Sequence, residues 1–436
     1  VRLTNADQVD LPEGRLRSLE LPLHRAPGEL PVSFDQGMHL RAGARPGSWM
    51  AAALRVPGGV RPDELAASWR AVVERHGTLR SAFAETDEGL RLHPLELALA
   101  DESARWVDHP TDPELPAPTR AALRTLLDAA CSPLESPSHR LALLEPTYGS
   151  DPVVVIAADH AHVDAWSLPL LVRDLLSCLE DHRAGRAPAS RLPRVGSFAE
   201  HTAELATQPP APEHVLRRWH EILDAGGGAM PTFPLPLGDV SAPRPEVVST
   251  HDLLDPRGLA RLEARASLEG VGPLAMAVSV MTRASASLAG APLRAVLPVH
   301  SRHQSRWRQS VGWFITNAVL ESADPTPQAC GAAVREAVGL GSHALAPIMA
   351  PYDGMPVTPG MFAVSWLDHR RLPVALDPAW RAQHVSAVAP TQGVQVWFVA
   401  DGSGLHVRLR SPATPQAQAS VGAWVDAVVE GLRSLV

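Results

Sequence analysis

His160 and Asp164 stand four apart in the stretch Asp159-His160-Ala161-His162-Val163-Asp164-Ala165-Trp166-Ser167. They are the residues whose types and spacing could do chemistry. An imidazole has an unperturbed pKa of about 6.5, so near neutrality it can take a proton from a hydroxyl or an amine and give it back. A nearby carboxylate can hold such a ring in one orientation and one tautomer. The polypeptide on either side must position the pair. Pro152-Val153-Val154-Val155-Ile156-Ala157-Ala158 is an apolar, β-branched run that reads as a buried strand. Downstream, Ser167 can cap a helix whose apolar residues Leu168, Leu171, Leu175 and Leu179 recur at spacings of three and four, closed by Arg183 and Gly185. A general base at the bend between a buried strand and a helix is the expectation. The same spacing also suits a core histidine satisfied by a neighbouring carboxylate.

Composition excludes other chemistries. The chain has no lysine, so all 39 basic residues are arginine, and a Schiff-base, cofactor-anchoring or phosphate-loop lysine is ruled out. A net charge of −8 leaves no basic excess to neutralise phosphates, which argues against a nucleic-acid partner. No apolar run approaches the length of a membrane span, and the first residues do not read as a signal peptide. A cytoplasmic protein with no membrane partner is expected. Cys131, Cys178 and Cys330 are far apart with no metal-like spacing, so reduced thiols and no metal centre are expected. A length of 436 residues allows two or three domains with a sizeable core.

Three further stretches accompany the central one, in order along the chain. Pro31-Val32-Ser33-Phe34-Asp35-Gln36 resembles the Ser-x-Ala-Gln opening motif of nonribosomal peptide condensation domains, with Asp35 in place of Ala. Arg75-His76-Gly77-Thr78-Leu79-Arg80-Ser81-Ala82-Phe83 follows a helix with an apolar face of Leu65, Trp69, Val72 and Val73. It resembles the Arg-His-x-x-Leu-Arg-Thr-x-Phe signature of the same family. Val311-Gly312-Trp313-Phe314-Ile315-Thr316-Asn317 resembles its Val-Gly-x-Phe-Val-Asn-Thr motif, with the last two residues in swapped order. In this company the central stretch resembles the His-His-x-x-x-Asp-Gly motif. His160 falls on the second, catalytic His, Asp164 on the structural Asp, and Trp166-Ser167 on the Trp-Ser that often follows. Asp159 replaces the first His and Ala165 the Gly.

The resemblance runs from Pro31 to the C-terminus. It implies an α/β fold of α+β two-layer sandwiches, with two chloramphenicol-acetyltransferase-like lobes in a V-shaped pseudo-dimer and the active site in a tunnel between them. The expected division is an N-terminal lobe at 1–185, a linker at 186–212 and a C-terminal lobe at 213–436. By resemblance His160 is the catalytic base. Asp164 is structural and pairs with an Arg from the other lobe, for which Arg302 is the candidate, while Asp159 shapes the turn. Ala165, Trp166, Ser167 and Trp313 would line the substrate tunnel, and His162 would be a bystander. No bound cofactor is expected, because a thioester on phosphopantetheine or CoA is a substrate. The implied partners are an acyl or peptidyl carrier protein and a small-molecule acceptor. Arg302, Arg306 and Arg308, or Arg183, Arg186, Arg191 and Arg194, could offer a docking face. With no adenylation domain or carrier Ser motif, a free-standing condensation-type acyltransferase forming an amide or ester in natural-product biosynthesis is expected. Two alternatives stay open. One is a CoA-dependent, ester-forming acyltransferase of the polyketide-associated type; the other is a non-catalytic recruitment module, towards which the missing first His points.

Overall fold

The structure, a computed structural model, describes residues 2–98, 104–149 and 151–436. Every residue of the strand Val153–Asp159 is buried, and its side chains alternate between two cores. Val154, Ile156 and Ala158 face one, with Leu65, Trp69 and Val72 of helix Pro62–Arg75 and Leu168, Leu171, Leu175 and Leu179 of helix Ser167–Arg183. Val153, Val155 and Ala157 face the other, with Leu123, Leu126 and Leu127 of helix Pro118–Ala130. Burying one such side chain is worth about 1.5–3 kcal/mol. Apolar packing on both faces therefore fixes where the strand ends before any polar contact is counted.

This strand lies fourth in a seven-stranded sheet ordered Arg2–Asn5, Gln383–Ser386, Trp49–Arg55, Val153–Asp159, His139–Pro146, Gly14–Glu20 and Arg105–His109. It is antiparallel to both neighbours, with Trp49 opposite Asp159 and His139 opposite Ala158, so the hairpin expected from the sequence is present. Leu23–Arg25, Gly89–Leu97 and Ser81–Thr86 form a separate three-stranded sheet.

The chain divides into two compact units. The first comprises Val1–Thr207, Arg302–Phe314 and Leu372–Val388; the second comprises Gln208–Ser301, Ile315–Arg371 and Ala389–Val436. The second unit carries a six-stranded sheet ordered Glu246–Leu254, Gly404–Pro412, Val394–Asp401, Phe362–Asp368, Leu293–His300 and Ile315–Ser322. The hairpin expected across Asp401-Gly402 is there, with Asp401 opposite Gly404. Helix Pro273–Ala289, apolar nearly all round, packs against helices Pro327–Leu340 and Pro415–Arg433. Each unit is a layered α/β structure, as the fold class requires. Among the described residues no single helix is long and apolar enough to cross a membrane.

The division differs from lobes at 1–185 and 213–436. Two segments from the later part of the chain return to the first unit. Gln383–Ser386 inserts in the seven-stranded sheet, parallel to Arg2–Asn5 and antiparallel to Trp49–Arg55. Residues 302–314 bring Arg302, Trp307 and Phe314. A strand this short has too few residues to show a period, and nothing local names its partner. Nor is 186–212 an irregular linker throughout. Ser197 and Glu200 make a capping box that opens helix Phe198–Ala206, a Ser-x-x-Glu spacing that stands in the sequence.

Candidate active site

Beyond Val153–Asp159 the chain turns at once, and Asp159 holds the turn. Its Oδ1 accepts the Ala161 N–H at 2.8 Å, its Oδ2 accepts the Ser48 hydroxyl at 2.5 Å, and His39 Nε2 lies 3.2 Å from Oδ1. The His160 N–H donates to the Ser48 carbonyl at 3.0 Å, and the Gln36 side-chain amide donates to the Ala161 carbonyl at 2.8 Å. Burial pushes the Asp159 carboxyl up. The contacts from His39, Ser48 and Ala161 outweigh that push and keep it below its ordinary value.

The His160 ring is partly exposed and stacks on Trp313, also partly exposed, with centroids 4.0 Å apart and planes at 29°. Its Nδ1 meets no hydrogen-bond partner from another residue. Burial lowers its pKa and charge on His39 acts the same way; its own carbonyl, Asp159 and Asp164 pull back without cancelling the shift. The ring is therefore neutral near pH 7, with a lone pair to offer. The other two imidazoles of this region are tied into structure. His162 is buried, with Nδ1 3.0 Å from the Thr78 carbonyl and its ring against Phe83. His139 Nε2 lies 3.0 Å from the Leu79 carbonyl, and burial takes its pKa down to about 3.

Asp164 is the acceptor at the centre of a buried cluster. Arg302 Nη1 and Nη2 donate to its two oxygens at 2.6 and 3.0 Å, and both side chains are 0% exposed. Ser167 donates to Oδ1 from its N–H and its hydroxyl, each at 2.8 Å, and the Phe314 N–H donates to Oδ2 at 3.1 Å. The guanidinium lies 4.1 Å over the Phe314 ring and 5.3 Å from that of Trp166. Burial pushes Asp164 up, and Arg302 and Ser167 more than reverse it. The Asp164–Arg302 pair expected from the sequence is thus present. Arg302 comes from a segment grouped with the first unit, however, and not from a separate lobe.

Ser167 does not cap its helix. Trp166 takes the N-cap place without a side-chain cap bond, and the Ser167 hydroxyl joins Asp164 to Gly312, whose N–H it accepts at 3.1 Å. Trp166 Nε1 donates to the Arg308 carbonyl at 3.1 Å. Ala165 stands where the motif has Gly, yet it needs no glycine-like backbone. Among the described residues the non-glycines with positive φ are Ala189, Asp353 and Arg381.

Two partners escaped the sequence reading. Asp174, 0% exposed within helix Ser167–Arg183, accepts from His76 Nε2 at 2.9 Å, Arg75 Nε at 2.8 Å and Arg173 Nε at 2.7 Å. A carboxylate three residues after Leu171 and four before Cys178 lies on the helix's apolar face, and buried there it needs cations. With the carbonyls of Thr78 and Leu79 on His162 and His139, the stretch Arg75–Phe83 clasps the strand end. His39 is the second; its helix, Phe34–Leu40, is too short to show a period, and only its Ser33–Gln36 capping box is legible. The suggested arginine faces are largely neutralised. Arg306 pairs with Glu204, Arg183 with Glu64, and Arg186 and Arg191 with Asp181, while Arg302 is buried.

No family model matches the chain. It is 31% identical over 330 residues to the nonribosomal peptide synthetase CymA of Salinispora arenicola, covering 71% of this chain and 4% of that protein. It is 26% identical over 341 residues to the acyltransferase PapA3 of Mycobacterium tuberculosis, covering 74% of this chain and 69% of PapA3. The solved structure of the PapA2 acyl transferase superposes with a TM-score of 0.84 at 20% identity, covering 100% of this chain and 99% of that one. The first condensation domain of the CDA synthetase superposes with a TM-score of 0.72 at 17% identity, covering 94% and 96%. In sequence and in fold the chain is similar to condensation domains and to the PapA acyltransferases. It shares the chloramphenicol-acetyltransferase-like fold of these two structures. It departs from the condensation-domain motif it resembles at the first histidine, where Asp159 and its partner His39 stand instead. It spans only 4% of CymA, so what the whole synthetase does is not carried over.

Proposed function

We propose that this chain is an acyltransferase of the condensation-domain type that moves an acyl group from a thioester to the hydroxyl or amine of a small-molecule acceptor, with His160 as general base. One observation carries the reading. The His160 ring, neutral and partly exposed, is free of the structural hydrogen bonds that occupy His139 and His162. Its Nε2 takes the acceptor proton as the acceptor oxygen or nitrogen attacks the thioester carbonyl. The tetrahedral intermediate then collapses, the carbon–sulfur bond breaks, and the imidazolium returns its proton to the departing thiolate. Asp164 and Arg302 take no proton in this scheme; they hold the turn that aims His160. Transfer is direct. Cys131, Cys178 and Cys330 are all buried, and burial pushes the Cys178 thiol up to about 11, so none is placed to carry an acyl group.

The acyl group arrives on a phosphopantetheine arm, of an acyl or peptidyl carrier protein in the first reading and of CoA in the second. The second, ester-forming reading is favoured by the match to PapA3, which extends over 69% of that acyltransferase. A recruitment module without chemistry would have no use for a neutral, partly exposed imidazole kept in this setting. The test is a panel of acyl groups offered on a carrier protein and on CoA, with amine and hydroxyl acceptors, and mass spectrometry of the products. Transfer from the carrier at the higher specificity constant supports the first reading and equal or better transfer from CoA the second. Absence of transfer from either supports recruitment.

A further inference from the structure

We propose that His39, held between Arg45 and Asp159, is a positioning residue that fixes the orientation of His160; the proposal rests on His160 being the base. Arg45 Nη2 lies 3.0 Å from His39 Nδ1, and Arg45 Nη1 donates to the carbonyls of His39 and Gly43 at 3.0 and 3.2 Å. A guanidinium can only donate, so Nδ1 carries the lone pair and the ring proton sits on Nε2. That proton points at Asp159 Oδ1, 3.2 Å away. His39 is thus a ring held between a cation and a buried anion, with its side chain 11% exposed.

The relay reaches His160 by two routes. Through the backbone, Asp159 holds the Ala161 N–H and the Ser48 hydroxyl, and the Ser48 carbonyl holds the His160 N–H. Through the rings, His39 meets Trp313 edge-on at 5.1 Å, and Trp313 stacks on His160. His39 itself lies 6.2 Å from His160 between centroids and touches no reacting atom. The charged and titratable groups around His160 are His39 on its short helix, Arg45 in the loop beyond, Asp159 at the strand end, and Asp164 with Arg302. Of these, only His39 links a fixed cation to the carboxylate that shapes the turn.

The test compares His39→Leu, which keeps bulk and loses both hydrogen bonds, with His39→Gln, whose amide can still accept from Arg45 and donate to Asp159. Two readouts are taken on the full chain. Nitrogen NMR of labelled histidines reports the tautomer of His160 without any substrate, and kcat and KM report transfer. His160→Ala, which removes one set of resonances, assigns the ring. We expect one His160 tautomer, protonated at Nδ1, in wild type and His39→Gln, and a mixture in His39→Leu. We also expect kcat to fall roughly 10- to 100-fold in His39→Leu, the worth of a small misplacement, with KM little changed and most of kcat restored by Gln. Wild-type behaviour of His39→Leu by both readouts would overturn the proposal, as would equal losses in the Gln and Leu variants. Should His39→Leu not fold, Arg45→Met removes the donor alone and is read the same way. The NMR arm needs no acyl transfer. A chain that transfers nothing therefore refutes the proposed function while leaving the positioning result to stand or fall alone.

Discussion

Replacing Asp164 by Ala removes at once the acceptor of five hydrogen bonds, two from Arg302, two from Ser167 and one from Phe314. Arg302, wholly buried, would keep only the Ser310 carbonyl and the Ser167 hydroxyl. Breaking a buried ion pair by removing one partner costs about 3–5 kcal/mol, because the survivor is left charged and uncompensated. For a unit of this size each kcal/mol lowers the melting midpoint by about 2–4 °C, so a fall of roughly 6–20 °C is expected. Thermal and urea melts followed by circular dichroism measure it. Asp164→Asn should fall between wild type and Ala, since its amide keeps one oxygen for Ser167 but turns a donor towards Arg302 or Phe314. Adding Arg302→Met to Asp164→Ala should recover part of the loss, with a coupling of about 0.5–3 kcal/mol. Burial raises the Asp164 pKa, and Arg302 and Ser167 more than reverse it, so the folded value lies below the unfolded one. Its contribution is then complete above the unfolded pKa of about 3.9 and lost as pH falls through the folded value. The gap between wild type and Asp164→Ala should accordingly narrow in acid. A variant melting within about 2 °C of wild type at pH 7 would refute the reasoning, because the pair would then be worth less than about 1 kcal/mol.

Three further outcomes follow from the same geometry. Because the His160 pKa is lowered, chiefly by burial, the base is neutral above its folded pKa; kcat/KM should be flat from pH 7 to 8 and fall on an acid limb below about 6.5. A limb centred above pH 7 would mean another group titrates. In Gly312→Ala the new methyl would lie 2.5 Å from Phe198 Cγ, an overpacking worth about 1–3 kcal/mol in a melt; no loss would mean that 302–314 is not seated as described. Asp159→Asn keeps an oxygen for the Ala161 N–H, so its kcat should fall by less than the roughly 10²-fold minimum for a lost general base, while the His160 midpoint drops with the anion gone. Equal losses in Asp159→Asn and His160→Ala would show the two roles to be misassigned.

What the sequence disclosed follows the range of the interactions. Val153–Asp159 and Ser167–Arg183 are legible because their apolar patterns are long and local. The Asp164–Arg302 pair, 138 residues apart, is reached only through the order of the motifs. Nothing in the chain near Gln383–Ser386 says that it pairs with Arg2–Asn5 and Trp49–Arg55, since pairing is decided by a sheet edge hundreds of residues away. Ser167 was open to misreading because a serine before a helix usually caps it, and here a buried carboxylate claims its hydroxyl instead. Asp159 read as a departure from the motif; its compensation by His39 and Arg45 needs three side chains from separate elements and could not be seen from spacing.

The most direct measurement is a single-turnover acyl transfer by His160→Ala beside wild type, with the donor and acceptor that the product screen selects and melting curves to show that both are folded. The variant should keep the wild-type melting midpoint and lose roughly 10²–10⁴-fold in the rate of product formation, the worth of a positioned general base. A folded His160→Ala that transfers the acyl group at the wild-type rate would contradict the assignment of His160 as the base.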